Sequence, residues 1–207
     1  LGGFVLPAGI PSTAKQLDLL RDFKIDTIAA TPSYYLHLIN HIENNNFDIS
    51  LLSLTTGIIA GEIYTKELKQ YIEKTLNIKL FNHYGLCEVN TGIIYECSKC
   101  NNNAVLDEHV FAEIIKDNGE YAKEGEKGEL VLTTLEKEAS PVLRYRTGDY
   151  VTLLKHQSDC ENCFGSPLLS NVESRTGSTI FYKGIKVEPG YIRDYIFTKY
   201  HNVISKN

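Results

Sequence analysis

The spacing of apolar residues changes about halfway along the 207-residue chain. In the first half, short apolar runs alternate with segments in which apolar residues recur every three or four positions. This is the pattern of buried strands joined by amphipathic helices. We predict helices over residues 12–23, 31–44 and 65–76, each beginning at a Ser or Thr that can cap it. The strands of this half are predicted at 3–7, 26–30, 54–59 and 78–81.

After Thr91 the helical spacing disappears, and short apolar runs are separated by turns that contain Gly, Asn or Pro. Asp117-Asn118-Gly119 is typical of a hairpin turn. The strands predicted here are 92–96, 110–116, 129–134, 142–145, 150–154, 180–182 and 185–187, with a helix after Pro189. The fold class is therefore α/β: a βαβ layer with a mostly parallel sheet, then an antiparallel barrel-like subdomain, and the start of a small C-terminal domain. We place these units at 1–90, 91–173 and 174–207.

Composition narrows the functional classes. Hydrophobic residues make up 43% of the chain and charged residues 23%, and the formal net charge is −5. This balance argues against a nucleic-acid-binding surface, which needs clustered Lys and Arg. No apolar run has the length of a membrane span, and no leader pattern opens the chain. The absence of Met and the start within an apolar segment lead us to expect a piece of a longer protein.

Four of the five cysteines form two C-x-x-C pairs, Cys97/Cys100 and Cys160/Cys163. Such pairs favour metal binding in a reducing compartment, and hence the cytoplasm, over a disulfide scaffold. Four thiolates suit one tetrahedral Zn²⁺, provided that the fold brings the two distant pairs together. The alternatives are four free thiols, or a site in which His109 replaces one thiolate. Cys87 lies outside both pairs and is interpreted as a small pocket residue.

The segment 81–89 combines an aromatic ring, a glycine and a carboxylate directly after a predicted buried strand. Ligands of α/β folds bind beyond the carboxyl ends of strands. Tyr84 could stack on a planar ring there, and Glu88 could bind Mg²⁺ through oxygen. The simpler interpretation is a Tyr-Gly turn, broken at Gly85, with a solvated Glu. Arg144 and Arg146 are interpreted as structural partners of nearby carboxylates.

Further short motifs occur in a fixed order along the chain. They are Thr31-Pro32-Ser33-Tyr34, Ala60-Gly61-Glu62, Tyr84-Gly85-Leu86-Cys87-Glu88, Glu96-Cys97, residues 128–135, residues 144–149 and residues 183–189. The ordered set resembles the adenylate-forming acyl-CoA ligases, most closely the phenylacetate–CoA ligase branch, which includes coenzyme F390 synthetase-like proteins. Each motif is unspecific by itself, and the resemblance rests on their order and spacing.

The resemblance implies an enzyme that joins a small carboxylic acid, such as phenylacetate, to AMP and then transfers the acyl group to coenzyme A. It implies ATP/AMP, Mg²⁺, coenzyme A and a structural Zn²⁺ as cofactors, and a homodimer as a candidate assembly. Glu88 would be catalytic and hold Mg²⁺, while Asp149 would bind the ribose. The nucleotide-binding residues would be Ala60, Gly61, Glu62, His83, Tyr84, Gly85, Asp149 and Arg175, and the acyl pocket would include Tyr34, Tyr84 and Gly85.

The chain also departs from the family pattern. By the resemblance, the phosphate-binding loop would precede Leu1 and the catalytic Lys would follow Asn207, so we expect this chain alone to be inactive. Gly177 stands where the family's hinge has Asp, which puts the usual domain rotation in doubt. The alternatives are therefore a truncated or degenerate nucleotide- or acid-binding module, and an adenylating relative that does not use coenzyme A.

Overall fold

The computed structural model describes residues 3–9, 12–156, 160–163, 165–177, 180–183, 185–187, 192, 195–196 and 199. Its helices are α1 (Thr13–Asp22), α2 (Pro32–Asn44) and α3 (Lys66–Leu76), with a 3-10 turn at Ile49–Leu51. The strands are β1 (Thr27–Ala30), β2 (Thr56–Ile59), β3 (Lys79–Leu86), β4 (Asn90–Glu96), β5 (Asn103–Val105), β6 (Val110–Ile115), β7 (Lys127–Thr134), β8 (Tyr145–Thr152), β9 (Leu168–Leu169), β10 (Ser174–Arg175), β11 (Ile180–Tyr182) and β12 (Ile185–Val187). None of the described helices is long and apolar enough to cross a membrane.

Each helix begins where a hydroxyl side chain accepts a backbone hydrogen bond. Ser12 accepts from the N–H of Lys15, Thr31 from that of Tyr34, and Thr65 from that of Leu68. These bonds satisfy N–H groups that have no partner within the helix. The three predicted helix starts are thus confirmed, and their cause is local in sequence.

The first half folds as a parallel βαβ layer. β1 pairs with β2 and β2 with β3 in parallel, and the helices bury their apolar faces in one core. Tyr35, Leu38, Ile39, Leu68, Ile72 and Leu80 have essentially no exposed surface. Burial of a side chain of this size stabilises the fold by about 1.5–3 kcal/mol.

β3 belongs to both halves of the molecule. Its first four residues pair in parallel with β2, and from His83 onward it pairs antiparallel with β4. The result is one six-stranded mixed sheet with the order β1-β2-β3-β4-β5-β9. The segment 81–89 therefore lies where the sheet changes from parallel to antiparallel.

A second sheet of four antiparallel strands, in the order β10-β8-β7-β6, packs against the antiparallel part of the first. The predicted α/β class and antiparallel second half are confirmed, although the described strands form two open sheets and no closed barrel. β11 and β12 pair as a separate hairpin, at the two positions predicted for strands. Most of the helix predicted after Pro189 lies outside the described residues.

Several local predictions were wrong. Residues 3–9 form no regular strand, and in place of the two strands predicted at 142–145 and 150–154 there is one strand, β8, over 145–152. The Thr147-Gly148 pair, which is typical of a turn, lies inside β8 because a bulge against β7 accommodates Gly148 at φ +74°. The short strands β5, β9 and β10 were not predicted. Asn103 is a buried polar residue at the start of β5.

Candidate nucleotide site and cysteine centre

Three of the predicted site residues meet around the carboxylate of Asp149. The Tyr84 hydroxyl donates to Oδ2 of Asp149 over 2.7 Å, and Nε of Arg175 lies 3.6 Å from Oδ1. Asp149 is 4% exposed, whereas the Arg175 side chain is 56% exposed. The strands explain this meeting, because Arg175 of β10 is the register partner of Asp149 in β8.

Burial sets the protonation behaviour of this pair. Burial raises the pKa of Asp149, while the Tyr84 hydrogen bond and the Arg175 charge act in the opposite direction. Burial also raises the pKa of Tyr84, and the negative charge of Asp149 raises it further. The Tyr84 hydroxyl therefore stays protonated, and it remains a hydrogen-bond donor to the carboxylate.

The backbone at Asp149 is fixed by the bulge in β8. The Thr147 hydroxyl donates to the carbonyl of Leu130 over 2.8 Å and accepts from the N–H of Asp149 over 3.0 Å. The N–H of Gly148 donates to Oε1 of buried Glu129 over 3.0 Å. Asp149 directly precedes the strand predicted at 150–154, whereas in the structure it lies in the middle of β8.

The two arginines that precede Asp149 are paired, as predicted. Arg144 contacts Oε2 of buried Glu113 over 3.1 Å, and Arg146 contacts Oε2 of Glu129 through Nε and Nη2. These pairs hold β8 against β6 and β7. They give both arginines a structural role beside the candidate site.

The predicted residues 60–62 lie beyond β2 and contact the start of α2. The backbone N–H and the hydroxyl of Ser33 both donate to the Glu62 carboxylate, over 3.2 and 2.5 Å. Gly61 has a φ of +83°, and a Cβ there would lie 3.5 Å from Thr31. Since Ile59 pairs with Asn82, residues 60–62 continue beside His83 and Tyr84. Ala60, Gly61 and Glu62 therefore line the same end of the sheet.

Tyr34 lies in the first turn of α2, next to this group. It is half-buried, and its ring centroid is 6.1 Å from that of His37. Burial raises the pKa of Tyr34, so its hydroxyl is neutral. The Tyr34 ring, near the end of the sheet where residues 60–62 lie, could contact an acyl group or pack only against its own helix.

Gly85 has a role other than the predicted chain break. It lies within β3, and a Cβ at this position would come within 2.4 Å of the backbone nitrogen of Gly92 in β4. His83 lies over Gly92 on the same strand pair, where an added Cβ would be 2.3 Å from its Nε2. The turn begins only after Leu86, so Gly85 permits a close approach of two backbones.

Glu88 lies in the exposed turn between β3 and β4. Its carbonyl oxygen accepts a hydrogen bond from Nζ of Lys137 over 2.7 Å, while its carboxylate faces solvent. It belongs to no group of three or more metal-binding side chains among the described residues. A lone exposed carboxylate can still contact Mg²⁺ that is bound mainly by substrate phosphates.

A cleft of about 570 Å³ lies beside this turn and includes Cys87, His109, Glu136 and Lys137 in its lining. Nδ1 of His109 is 2.8 Å from Oε2 of Glu136, and the His109 side chain is 47% exposed. His109 is therefore engaged away from the cysteine pairs. The alternative in which it replaces a thiolate is not supported by this geometry.

The two C-x-x-C pairs come together as one compact cluster. The Sγ atoms of Cys97, Cys100, Cys160 and Cys163 all lie within 4.8 Å of one another. The distances are 3.6 Å for Cys97–Cys160 and 3.5 Å for both Cys100–Cys163 and Cys160–Cys163. A tetrahedron with Zn–S bonds of about 2.3 Å has edges of about 3.8 Å. The four thiols thus fit a Zn²⁺ ion with little movement.

The turn that carries the first pair favours a thiolate at Cys97, whereas burial raises the pKa of Cys100 and of Cys163. Burial opposes ionisation of Cys97, but hydrogen bonds from the backbone N–H groups of Cys100 and Lys99 lower its pKa to about 6. The second pair forms a similar tight turn, closed by a bond from the N–H of Cys163 to the carbonyl of Cys160 over 3.1 Å. Low thiol pKa values promote metal binding, because thiolates are the ligands.

A polar network that no sequence motif indicated connects this cluster to β3. Nδ2 of Asn82 donates to Oδ1 of Asn103 over 2.8 Å, and both amides also donate to Oδ1 of Asn171, over 3.2 and 2.8 Å. The Glu96 carboxylate accepts from the N–H of Asn82 over 2.7 Å and from Nζ of Lys69 over 2.6 Å. These residues are far apart in sequence, so only the fold brings them together.

The comparisons with known proteins agree with this architecture. A family model described as AMP-binding enzyme matches residues 2–135. The phenylacetate-coenzyme A ligases of Pseudomonas putida and Escherichia coli (strain K12) are 36% and 34% identical over 199 and 200 residues. Each alignment covers 95% of this chain but only 44% or 45% of the relative. The chain therefore spans a little under half the length of these curated relatives.

Among solved structures, a 2-hydroxyisobutyryl-CoA ligase in complex with 2-HIB-AMP matches with a TM-score of 0.80 and 19% identity. The match covers 92% of this chain and 41% of that one. At this identity the likeness concerns the fold. The family model covers well over half of the chain, and the relatives above 30% identity agree with it. The chain belongs to the family of AMP-binding enzymes.

Proposed function

We propose that this chain forms the central part of an AMP-forming acid–CoA ligase that acts on a small, aromatic carboxylic acid such as phenylacetate. The observation that carries the proposal is the convergence of Tyr84 and Arg175 on the buried carboxylate of Asp149. In the first half-reaction the acid attacks the α-phosphorus of ATP, giving acyl-AMP and pyrophosphate. In the second, the coenzyme A thiol takes the acyl group and AMP leaves.

Asp149 would hold the ribose. A carboxylate offers about four acceptor positions, and Tyr84 occupies one on Oδ2. Oδ1 would accept from the ribose hydroxyls beside Arg175, whose Nε lies 3.6 Å from it. Because Tyr84 fixes the orientation of the carboxylate, little ordering is lost when the nucleotide binds.

The remaining predicted residues would form the walls of the site. His83, Tyr84 and Gly85 of β3 would contact the adenine, and Ala60, Gly61 and Glu62 follow β2, the parallel neighbour of β3. Tyr34 would contact the acyl group. Support for these roles is positional, because the residues share one end of the sheet.

Glu88 would bind Mg²⁺ together with the phosphates of ATP. When bound, the ion offsets phosphate charge as the carboxylate attacks. The exposed carboxylate of Glu88 suits this role, since Mg²⁺ commonly takes one or two protein carboxylates beside phosphate oxygens. Lys137 holds the Glu88 carbonyl and thereby fixes the turn.

Cys97, Cys100, Cys160 and Cys163 would hold one structural Zn²⁺. All four ligand positions are filled by protein, as in structural rather than catalytic zinc sites. A cytoplasmic location and a homodimer stay predictions of the same proposal.

The ligase proposal predicts distinct effects for two carboxylates in the longest natural reading frame that contains this sequence. Asp149→Ala should weaken AMP binding at least ten-fold, because charge-assisted hydrogen bonds contribute roughly 1.5–3 kcal/mol each. Asp18→Ala, an exposed position on α1, is the matched control and should bind AMP like wild type. Isothermal titration gives the affinities, and equal affinity of Asp149→Ala and wild type would refute the ribose assignment.

Glu88→Gln should lower the rate of phenylacetate-dependent pyrophosphate release while leaving AMP affinity within about two-fold. AMP lacks the phosphates that share Mg²⁺ with Glu88, so its binding does not depend on that charge. Pyrophosphate-release kinetics over a Mg²⁺ series measure the effect. If Glu88→Gln releases pyrophosphate at the wild-type rate at every Mg²⁺ concentration, Glu88 does not bind the ion.

The zinc assignment predicts about one Zn²⁺ per chain in protein purified without chelator. Elemental analysis combined with thiol titration checks it, and Cys87 should be the one thiol that reacts readily. Zinc-free protein with five reactive thiols would leave the alternative of free cysteines.

A nucleotide-binding module without ligase activity is the second candidate. Gly177, with a φ of +83°, stands where the resembled family has its hinge Asp, and this favours a protein without the usual domain rotation. Such a module would bind AMP through Asp149 but release no pyrophosphate with any acid. Acyl-AMP formation without transfer to coenzyme A would instead identify an adenylating relative that uses another acceptor.

A further inference from the structure

We propose that Asn171 is a positioning residue that couples the four-cysteine centre to the ribose-binding carboxylate of Asp149. This inference rests on the proposed nucleotide site and the proposed metal. It adds a link between the two sites: bound metal would increase nucleotide affinity as well as the stability of the fold.

Each cysteine pair lies on a chain segment that leads to a partner of Asp149. Cys97 directly follows β4, which pairs with the part of β3 that carries Tyr84. Cys163 precedes β9 and β10, and β10 carries Arg175. Closing the two pairs around one ion therefore holds together the segments that supply Tyr84 and Arg175.

The amide of Asn171 links the two segments at a second point. Its Oδ1 accepts from Nδ2 of both Asn82 and Asn103, over 3.2 and 2.8 Å. Asn82 is two residues before Tyr84, and Asn171 is four residues before Arg175. Asn103, which is 4% exposed, begins β5 directly after the first cysteine turn. The three amides thus lie between the cluster and the site on both segments.

Loss of the Asn171 acceptor has a defined physical result. Nδ2 of Asn103 keeps a contact of 3.3 Å with the carbonyl of Leu169, while Nδ2 of Asn82 keeps only Asn103. The β9–β10 segment is then tied to β3 less firmly, although the cysteines are untouched. Arg175 and Tyr84 would no longer hold Asp149 in one orientation, so nucleotide affinity should fall without loss of metal.

The test uses the full chain after it has been loaded with Zn²⁺. AMP is the ligand whose binding is measured. Asn171→Ala should bind AMP roughly three- to ten-fold more weakly than wild type, which lies within the range of effects seen for residues that couple two sites. Zinc content and the far-ultraviolet circular dichroism spectrum should stay unchanged. Asn171→Asp keeps an acceptor and should restore most of the affinity. Asn45→Ala, at the end of α2, is the matched amide control and should have no effect.

A second measurement tests coupling itself. Coupling between two sites is reciprocal, so saturating AMP should slow or weaken zinc extraction by a chelator in wild type, and less so in Asn171→Ala. Equal AMP affinity of zinc-loaded Asn171→Ala and wild type would overturn the inference. Absence of AMP binding by zinc-loaded wild type would instead refute the nucleotide site, and absence of bound zinc would refute the metal, so the three failures are distinguishable.

Discussion

Two regions of this molecule are buried in different ways. The helical region (residues 12–82) has a core of aliphatic and aromatic side chains packed around a parallel sheet. The antiparallel region (residues 83–175) contains every buried Asn, Glu, Asp, Ser and Thr side chain among the described residues, from Asn103 to Ser174. It also contains the cysteine cluster.

The contrast shows where stability and chemistry are separated. Burial of hydrocarbon alone stabilises a fold and binds nothing specific. Buried polar groups lower stability unless they are paired, and they are retained where a site needs fixed donors and acceptors. In the antiparallel region they are paired, as with Glu113 and Arg144 or Glu129 and Arg146. We therefore expect this region to be more sensitive to changes in charge and metal.

Metal removal should give the largest difference between the regions. At zinc concentrations near 1,000 times Kd, binding contributes about 4 kcal/mol to the free energy of unfolding. In a domain of this size, this corresponds to a fall of about 8–16 °C in Tm on chelation. Hydrogen exchange should rise in residues 90–105 and 165–175 before it rises in 66–80. A uniform rise across both regions would show that the regions unfold as one unit.

Removal of a buried carboxylate should have the next largest effect. Glu129→Ala leaves the N–H of Gly148 without its acceptor and frees Arg146, so we expect a loss of about 2–3 kcal/mol. The control Glu120→Ala removes an exposed carboxylate that pairs with Lys116, and it should lower stability far less because solvent screens an exposed pair. Urea unfolding measures both. Similar losses would show that burial of Glu129 is unimportant.

The smallest effect expected is a gain in stability when Asp149 at the candidate site is replaced by Asn. Burial raises the pKa of Asp149, so the folded state binds its proton more tightly than the unfolded chain does. Wild-type stability therefore falls as pH rises from the unfolded value of about 3.9 through the raised folded value. Asp149→Asn lacks this titration, so the difference between its Tm and that of wild type should increase from pH 3.5 to pH 7.

Melting curves across this pH range, with AMP titrations beside them, check the prediction. The expected variant is slightly more stable at pH 7 and binds AMP weakly. If Asp149→Asn is less stable than wild type at every pH, the main role of Asp149 is to stabilise the fold through its ion pair with Arg175.

The two regions also differ in how well the sequence predicted them. Helix starts at Ser12, Thr31 and Thr65 depend on hydrogen bonds within three residues, and all three were predicted. β8 was predicted as two strands because the conformation of Gly148 depends on Glu129, nineteen positions away. Short strands such as β9 have too few residues to show a period, and their pairing partners lie far along the chain.

The candidate site shows the same limit. Tyr84, Asp149 and the four cysteines were recognised from motifs, and the structure brings Tyr84 and Asp149 into contact. No residue pattern indicated that Asn82, Asn103 and Asn171 would share one network, because an amide side chain has no characteristic spacing. Motifs thus supplied the candidate site residues, while the side chains that contact one another around them emerged only from non-local packing.

The close approach of β3 and β4 has a consequence for variation at this site. A Cβ on Gly85 would come within 2.4 Å of the nitrogen of Gly92, and within 2.8 Å of the Asn90 carbonyl oxygen and the Thr91 Cα. These are backbone atoms, which cannot rotate out of the way. In a library of random variants, Gly85 should accept no other residue, whereas the exposed turn positions Cys87 and Glu88 should fold with many. Natural variation in ligand preference would then arise in the turn, because the spacing of β3 and β4 on either side of it cannot change.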